Sequence, residues 1–333
     1  MASSKKIANK SPIRVSNAFI SNILAKVDKK LLSRIEADAP IKRELMQNGV
    51  PFRNRTPLMD QIIRYILLKV SEAYKENEAL FVKHLAEWEA ANKKDVFQTS
   101  FSFAVNLDYK EIYKTLNPDS PKYSGGDLRH IADAINDLCT IEDVLIFPAK
   151  GQTKTAYIAI RSTILHFDYF IQEISVFGNK VVTGARVHIS TMFLYDYPKL
   201  KSCTFVPRKG IETGSKIDKD KLTQHFYNVL FYSCGKLHQA AERIRATAQG
   251  IPENELTEKI KKALTYTENF DTTLNYKVKI ARYKREHVFI KGLLKTAECL
   301  KQNGVITEFF ITTAANGDKQ TNWVINEKFI TEK

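Results

Sequence analysis

Twice along the chain, apolar positions change from helical spacing to short strand-like runs that flank a polar turn. In the first stretch, Leu128, Ile131, Ala132, Ile135 and Leu138 recur at three- and four-residue intervals, predicting an amphipathic helix from Asp127. Val144-Leu145-Ile146-Phe147, the turn Gly151-Gln152-Thr153-Lys154 and the run from Ala156 to Ile160 then predict a β-hairpin. The second stretch repeats this order near the C-terminus. Phe289, Ile290, Leu293, Leu294, Ala297 and Leu300 form its apolar stripe. Val305 to Ile311, the turn Asn316-Gly317-Asp318-Lys319, and Trp323-Val324-Ile325 complete it.

Other elements follow from the same patterns. Ile20, Ile23, Leu24, Val27, Leu31, Leu32 and Ile35 alternate with basic residues and predict a helix or helix pair with a basic outer face. Thr56-Pro57 predicts a helix start, with Pro at the first helical position. That helix carries Leu58, Ile62, Ile63, Ile66, Leu67 and Val70, and another is expected over Ala79 to Ala91. Phe97 to Leu107 reads as a strand, and Asp108 as the cap of a short helix ending before Asn117-Pro118. Two further β-like runs, Ile164 to Val176 and Lys180 to Phe193, flank the turn at Phe177-Gly178-Asn179-Lys180.

In Lys199 to Lys221, Pro207, Gly210, Gly214 and several lysines predict an inter-domain linker. A long helix is expected from about Asp218 to Gly250, a second from Pro252 through Leu264, and a polar, aromatic connector from Asn269 to Lys284. Each half thus has helices first and a helix-plus-hairpin last, which predicts an internal duplication. The fold class expected is α+β, with boundaries 1–54, 55–198, 199–218 and 219–333.

Composition adds a partner class. The 333 residues, 44% apolar and 11% aromatic, suffice for one large or two ordinary folded domains. A net charge of +14 points to a polyanion, with nucleic acid first and an anionic membrane surface second. No apolar run approaches the roughly 18–20 residues that cross a bilayer. Cys139, Cys203, Cys234 and Cys299 lie too far apart for zinc-finger spacing, and a reducing cytoplasm is expected. The basic start, Met1 to Lys6, lacks the apolar core of a secretory signal and reads as a flexible arm.

Affinity for nucleic acid comes mainly from neutralised phosphates, and sequence reading from side chains inserted in a groove. The segment Lys277 to Lys301 is rich in Lys and Arg. Within it Arg282, Lys284 and Arg285 precede the second helix, Lys291 and Lys295 lie along it, and Lys319, Gln320 and Asn322 follow in the hairpin. Such a run can equally be a solvated helix face; the hairpin directly behind this one favours a DNA reader. The matching positions of the first stretch are Lys122, Arg129, Lys150 and Lys154. Asp127, Asp133, Asp137, Glu142 and Asp143 make that copy less basic, so it is the better interface or auxiliary grip.

The sequence carries none of the catalytic patterns below. There is no GxxxxGK[ST] loop, no HxH pair and no His followed three residues later by Arg. The seven histidines are scattered, and Asp168 and Glu173 do not define a metal site. Neither an enzyme nor a cofactor or metal is expected.

Helix, turn, helix and hairpin is the order of a winged-helix module. On Ala281-Arg282-Tyr283-Lys284-Arg285, Phe289 to Leu294, Phe309-Phe310-Ile311 and Gly317 to Ile325, the chain resembles the iteron-binding plasmid replication initiators of the Rep type. The resemblance covers about residues 55 to 328; the basic region before Thr56 exceeds the family pattern. It implies two tandem winged-helix domains behind a basic N-terminal helical extension. It also implies a cytoplasmic bacterial protein that binds direct repeats in double-stranded DNA at a plasmid origin and recruits host replication proteins. The first domain would supply the contact of a homodimer in equilibrium with monomer, and the second would read the repeat. Two alternatives stand beside it. One is a plasmid or phage transcriptional regulator; the other is an RNA- or single-strand-binding nucleoprotein stacking bases on Tyr276, Tyr283 or Trp323.

Overall fold

Thr56 and Pro57 start a helix for the reason their sequence suggests. The Thr56 hydroxyl accepts the Met59 amide at 3.2 Å, and Pro57 occupies the first turn, where its missing N–H costs nothing. The structure is a computed structural model. It describes residues 13–16, 20, 56–91, 102–140, 143–148, 157–163, 165–174, 180–190, 203–217, 220–270 and 286–331. The chain divides into two units, Arg14–Cys203 and Met1–Ile13 with Thr204–Lys333. Of residues 1–55, only a short strand β1 (Ile13–Ser16) and Ile20 fall within the described residues, so the predicted N-terminal helical region lies almost wholly outside them.

In the first unit, α1 (Pro57–Glu76) buries Ile62, Ile63, Ile66, Leu67 and Val70. Tyr74 meets Phe81 of α2 (Glu78–Ala91) edge to face at 5.1 Å. Strand β2 (Ser102–Asp108) leads into α3 (Tyr109–Leu116), whose first amides, Lys110 and Glu111, are capped by the Asp108 carboxylate at 2.8 and 3.3 Å. Helix α4 (Gly125–Thr140) follows, with Leu128, Ile131, Ala134, Ile135 and Leu138 on its buried face. Its start is a reciprocal cap: Ser124 Oγ accepts from the Asp127 amide, and Asp127 Oδ2 accepts from Ser124 N and Oγ.

Strands β3 (Asp143–Pro148) and β4 (Tyr157–Ser162) pair as an antiparallel hairpin, with Leu145 opposite Ile160. Strands β5 (Leu165–Ile174) and β6 (Lys180–Ser190) pair next, and β6 also pairs β2, giving the order β2-β6-β5. Val105, Leu107, Leu165, Ala185, Val187 and Ile189 are buried, and α1, α3 and α4 pack against this sheet.

The second unit begins inside the stretch predicted as a linker. Residues 203–206 form strand β7 (Cys203–Val206) and residues 209–216 form α5 (Lys209–Lys216), with Val206, Ile211 and Ile217 buried. Two glycines and a polar composition hide this helix from periodicity; buried Ile211 within it and Ile217 just after it anchor it. Helix α6 (Lys221–Ala246) is capped by Asp220, whose carboxylate accepts from Leu222 and Thr223. Its first half is buried on nearly all sides through Phe226, Tyr227, Val229, Leu230, Phe231, Tyr232 and Cys234.

After α7 (Glu253–Ala263) comes β8 (Thr265–Asn269), a strand absent from the sequence reading. Then follow α8 (Glu286–Gln302), β9 (Ile306–Thr313), β10 (Lys319–Ile325) and a short α9 (Glu327–Thr331). The sheet order is β8-β10-β9, entirely antiparallel. Trp323, on the central strand, stacks on Phe226 at 4.3 Å and lies against Phe309 at 4.4 Å, pinning the sheet to α6. Both units are mixed helix and sheet, so the α+β class holds. Among the described residues, no helix is long and apolar enough to cross a membrane.

Candidate nucleic-acid interface

Helix α8 is set by two opposite faces. Phe289, Leu293, Thr296, Ala297 and Leu300 are buried. Phe289 packs edge to face on Phe270 at 5.4 Å, and Thr296 Oγ1 meets Thr223 Oγ1 of α6 at 3.0 Å. The helix ends in a glycine cap. Gly304 takes φ +69, its amide reaches the Lys301 carbonyl, and Val305 N reaches the Leu300 carbonyl. That cap sends the chain straight into β9.

The outer face of α8 carries His287, Val288, Lys291, Leu294, Lys295, Glu298 and Lys301, all exposed. Lys291 and Lys295 lie one turn apart. Leu294 was expected on the apolar stripe beside Leu293; it is instead 54% exposed, with Val288 42% exposed on the same helix. Adjacent residues on a helix are separated by about 100°, and here that turn carries Leu294 past the margin of the buried stripe to the solvent side while Leu293 stays inside it. Exposed aliphatic groups beside lysines suit a major groove, where apolar contacts meet thymine methyls and ammonium groups meet phosphates or guanine.

The hairpin behind α8 differs from its sequence picture. Its tip is closed by Gly317 at φ +83 and by Asn316, whose amide donates to Asp318 Oδ2 at 2.9 Å. Strand β10 begins earlier than expected, at Lys319, so Gln320 and Asn322 belong to a strand paired on both sides rather than to the tip. Gln320 donates to Asn269 Oδ1 at 2.6 Å. Asn322 is only 6% exposed, accepting from Thr267 Oγ1 at 2.8 Å and donating to Thr312 Oγ1 at 2.9 Å. These amides hold the three strands in register. Lys319 is exposed and forms an ion pair with Glu286, the first residue of α8.

In the first unit, Lys122 and Arg129 are exposed, but Arg129 shares the outer face of α4 with His130, Asp133, Asn136 and Asp137. That face carries more acid than base, whereas the corresponding face of α8 carries Lys291, Lys295 and Lys301 against Glu298. Asp168 and Glu173 serve in ion pairs: Asp168 lies 3.3 Å from Arg186 and 3.2 Å from His188, and Glu173 accepts from Lys110 at 2.8 Å. Lys150, Lys154, Arg282, Lys284 and Arg285 lie outside the described residues, as do Tyr276 and Tyr283.

A feature the sequence reading missed is that β5 lies at an edge of the first sheet. Strand β5 has β6 on one side, and no strand among the described residues pairs its other edge. Tyr169, Phe170, Ile171 and Ile174 on it are exposed, Ile174 at 75%. The alternation of this run predicts a strand but does not say which neighbour it lacks.

Comparison with family models, with curated proteins and with solved structures finds no match for the chain.

Proposed function

We propose that the chain is a non-enzymatic, sequence-specific duplex-DNA-binding protein made of two winged-helix units, and that it initiates plasmid replication by binding direct repeats at an origin. The observation that carries the reading is α8: an exposed face bearing Lys291, Lys295 and Lys301, with the antiparallel hairpin β9–β10 directly following it in sequence and tied to its first turn through Lys319 and Glu286. The helix–strand–strand order recurs in α4, β3 and β4. The net charge of +14 supports a polyanionic partner.

In this reading α8 enters the major groove, Lys291 and Lys295 meet bases or flanking phosphates, and Lys319 reaches the adjacent backbone. Origin binding, the recruitment of host replication proteins and a dimer–monomer equilibrium rest on the family resemblance. Within that equilibrium, the exposed edge of β5 is the dimer contact, because an unpaired apolar strand edge is the surface most apt to add a strand from a second copy. A single-strand binder is less favoured: Trp323, one of its stacking platforms, is fully buried.

The test is binding of the purified protein to duplex and single-stranded DNA over a range of salt concentrations. Preference for duplex with a steep salt dependence is expected, and Lys291→Ala with Lys295→Ala should lower it by about tenfold or more. Equal affinity for both DNA forms, or no effect of the two substitutions, overturns the assignment of α8. Direct repeats against a single palindrome as competitors separate the initiator from a transcriptional regulator.

A further inference from the structure

Three potential metal ligands converge in the second unit, outside the candidate interface. His238 and Glu242 lie one turn apart on α6, and Arg245 stands at the next helical repeat on the same face. Glu327, the first residue of α9, meets them from the other end of the unit's sequence. Arg245 is the organiser: Nη2 donates to Glu327 Oε2 at 2.6 Å, and Nη1 donates to Glu242 Oε1. One oxygen of each carboxylate is thereby fixed, while the second is left for another partner.

The imidazole supplies the third group. His238 Nδ1 is buried and has no hydrogen-bond partner among the described residues; its nearest carboxylate oxygen, Glu327 Oε1, stands 3.7 Å away, beyond hydrogen-bond reach. The ligand atoms of His238, Glu242 and Glu327 all lie within 4.8 Å of one another. Two ligands of a tetrahedral zinc ion are about 3.4 Å apart, given metal–ligand distances near 2.1 Å. The His238–Glu327 pair, at 3.7 Å, stands close to that separation.

We propose that His238, Glu242 and Glu327 bind one Zn²⁺ ion, with water in the remaining position and Arg245 orienting both carboxylates from behind. One neutral imidazole nitrogen with two carboxylate oxygens fits zinc; calcium and magnesium prefer all-oxygen sets, and copper(I) prefers sulfur. Hydrogen bonds to the far oxygens of ligating carboxylates are the usual means of aiming them. A bound ion would fasten α9 to α6 by coordination as well as by the Arg245 ion pairs.

The experiment uses the full-length protein, stripped with chelator and titrated with ZnCl₂ by calorimetry, with melting temperature followed in parallel. One zinc per chain and a rise in melting temperature are expected. His238→Ala should weaken binding by at least about tenfold and abolish the thermal shift, leaving the circular dichroism spectrum unchanged. Glu242→Gln, at an exposed position, should do the same should His238→Ala fail to fold. Absence of binding up to about millimolar zinc overturns the site and leaves an Arg245 ion-pair cluster alone. Undiminished binding in both variants also overturns it, assigning the zinc to other groups such as the cysteines.

Discussion

Glu286 and Lys319 join the first turn of α8 to the first residue of β10 through an ion pair. The contact fixes where the hairpin sits relative to the helix and holds a cation beside the helix start. It also means that, under the proposed function, Lys319 would exchange one anion for another in meeting a phosphate. Both side chains are about half exposed, so the pair adds little to stability. Glu286→Gln should therefore leave the melting temperature nearly unchanged and raise affinity for duplex DNA. Lys319→Ala should weaken binding across all sequences and reduce the slope of log affinity against log salt by about one unit. A loss confined to one DNA sequence would contradict a phosphate role.

Trp323 gives a prediction of a different kind. It is fully buried, stacked on Phe226 and packed against Phe309, so its loss acts on the fold before any ligand is met. Trp323→Ala should destabilise the second unit by about 3–5 kcal/mol in urea unfolding, while Trp323→Phe should cost less. Near-native stability of the alanine variant would show that the stacked arrangement does not hold the sheet.

The open edge of β5 predicts association. Ile174 is three-quarters exposed, so Ile174→Lys removes little packing within one chain but places a charge on the strand edge. Light scattering after size exclusion should show the population moving toward monomer, with no fall in melting temperature. An unchanged mass distribution in the presence of a wild-type dimer would place the contact elsewhere.

Acid should loosen α9. The Glu327 carboxyl is held below its ordinary value chiefly by its hydrogen bond to Arg245, with the charges of Arg245 and His238 adding. A depressed folded-state pKa contributes stability that is present above the unfolded value, near 4.5, and lost as pH falls through the lower folded one. Melting temperature in metal-free buffer should therefore drop more steeply between about pH 5 and 3 in the wild type than in Glu327→Gln. Parallel curves would remove Glu327 from the acid response.

Local chemistry made much of this legible in advance. The Thr56-Pro57 start, the Asp108 cap, the apolar stripe of α4 and the two helix-then-hairpin stretches depend on near neighbours and on periods of about 3.6 and 2 residues. So does the basic outer face of α8, because the charge of Lys291 and Lys295 and their spacing are properties of the chain alone.

Tertiary pairing decided the rest. Thr265–Asn269 has no apolar alternation and becomes a strand only because β10 lies beside it. Gln320 and Asn322 look like polar tip residues, yet strands on both sides draw them into the sheet and hydrogen-bond their amides. Leu294 and Leu293 are alike in sequence, and the position of α6 sends one inward and the other to solvent. His238 and Glu242 share a helix face by spacing, but Glu327 joins them only through the fold. Side-chain character is written in the sequence; which groups face one another across long separations is fixed by packing, which no local pattern encodes.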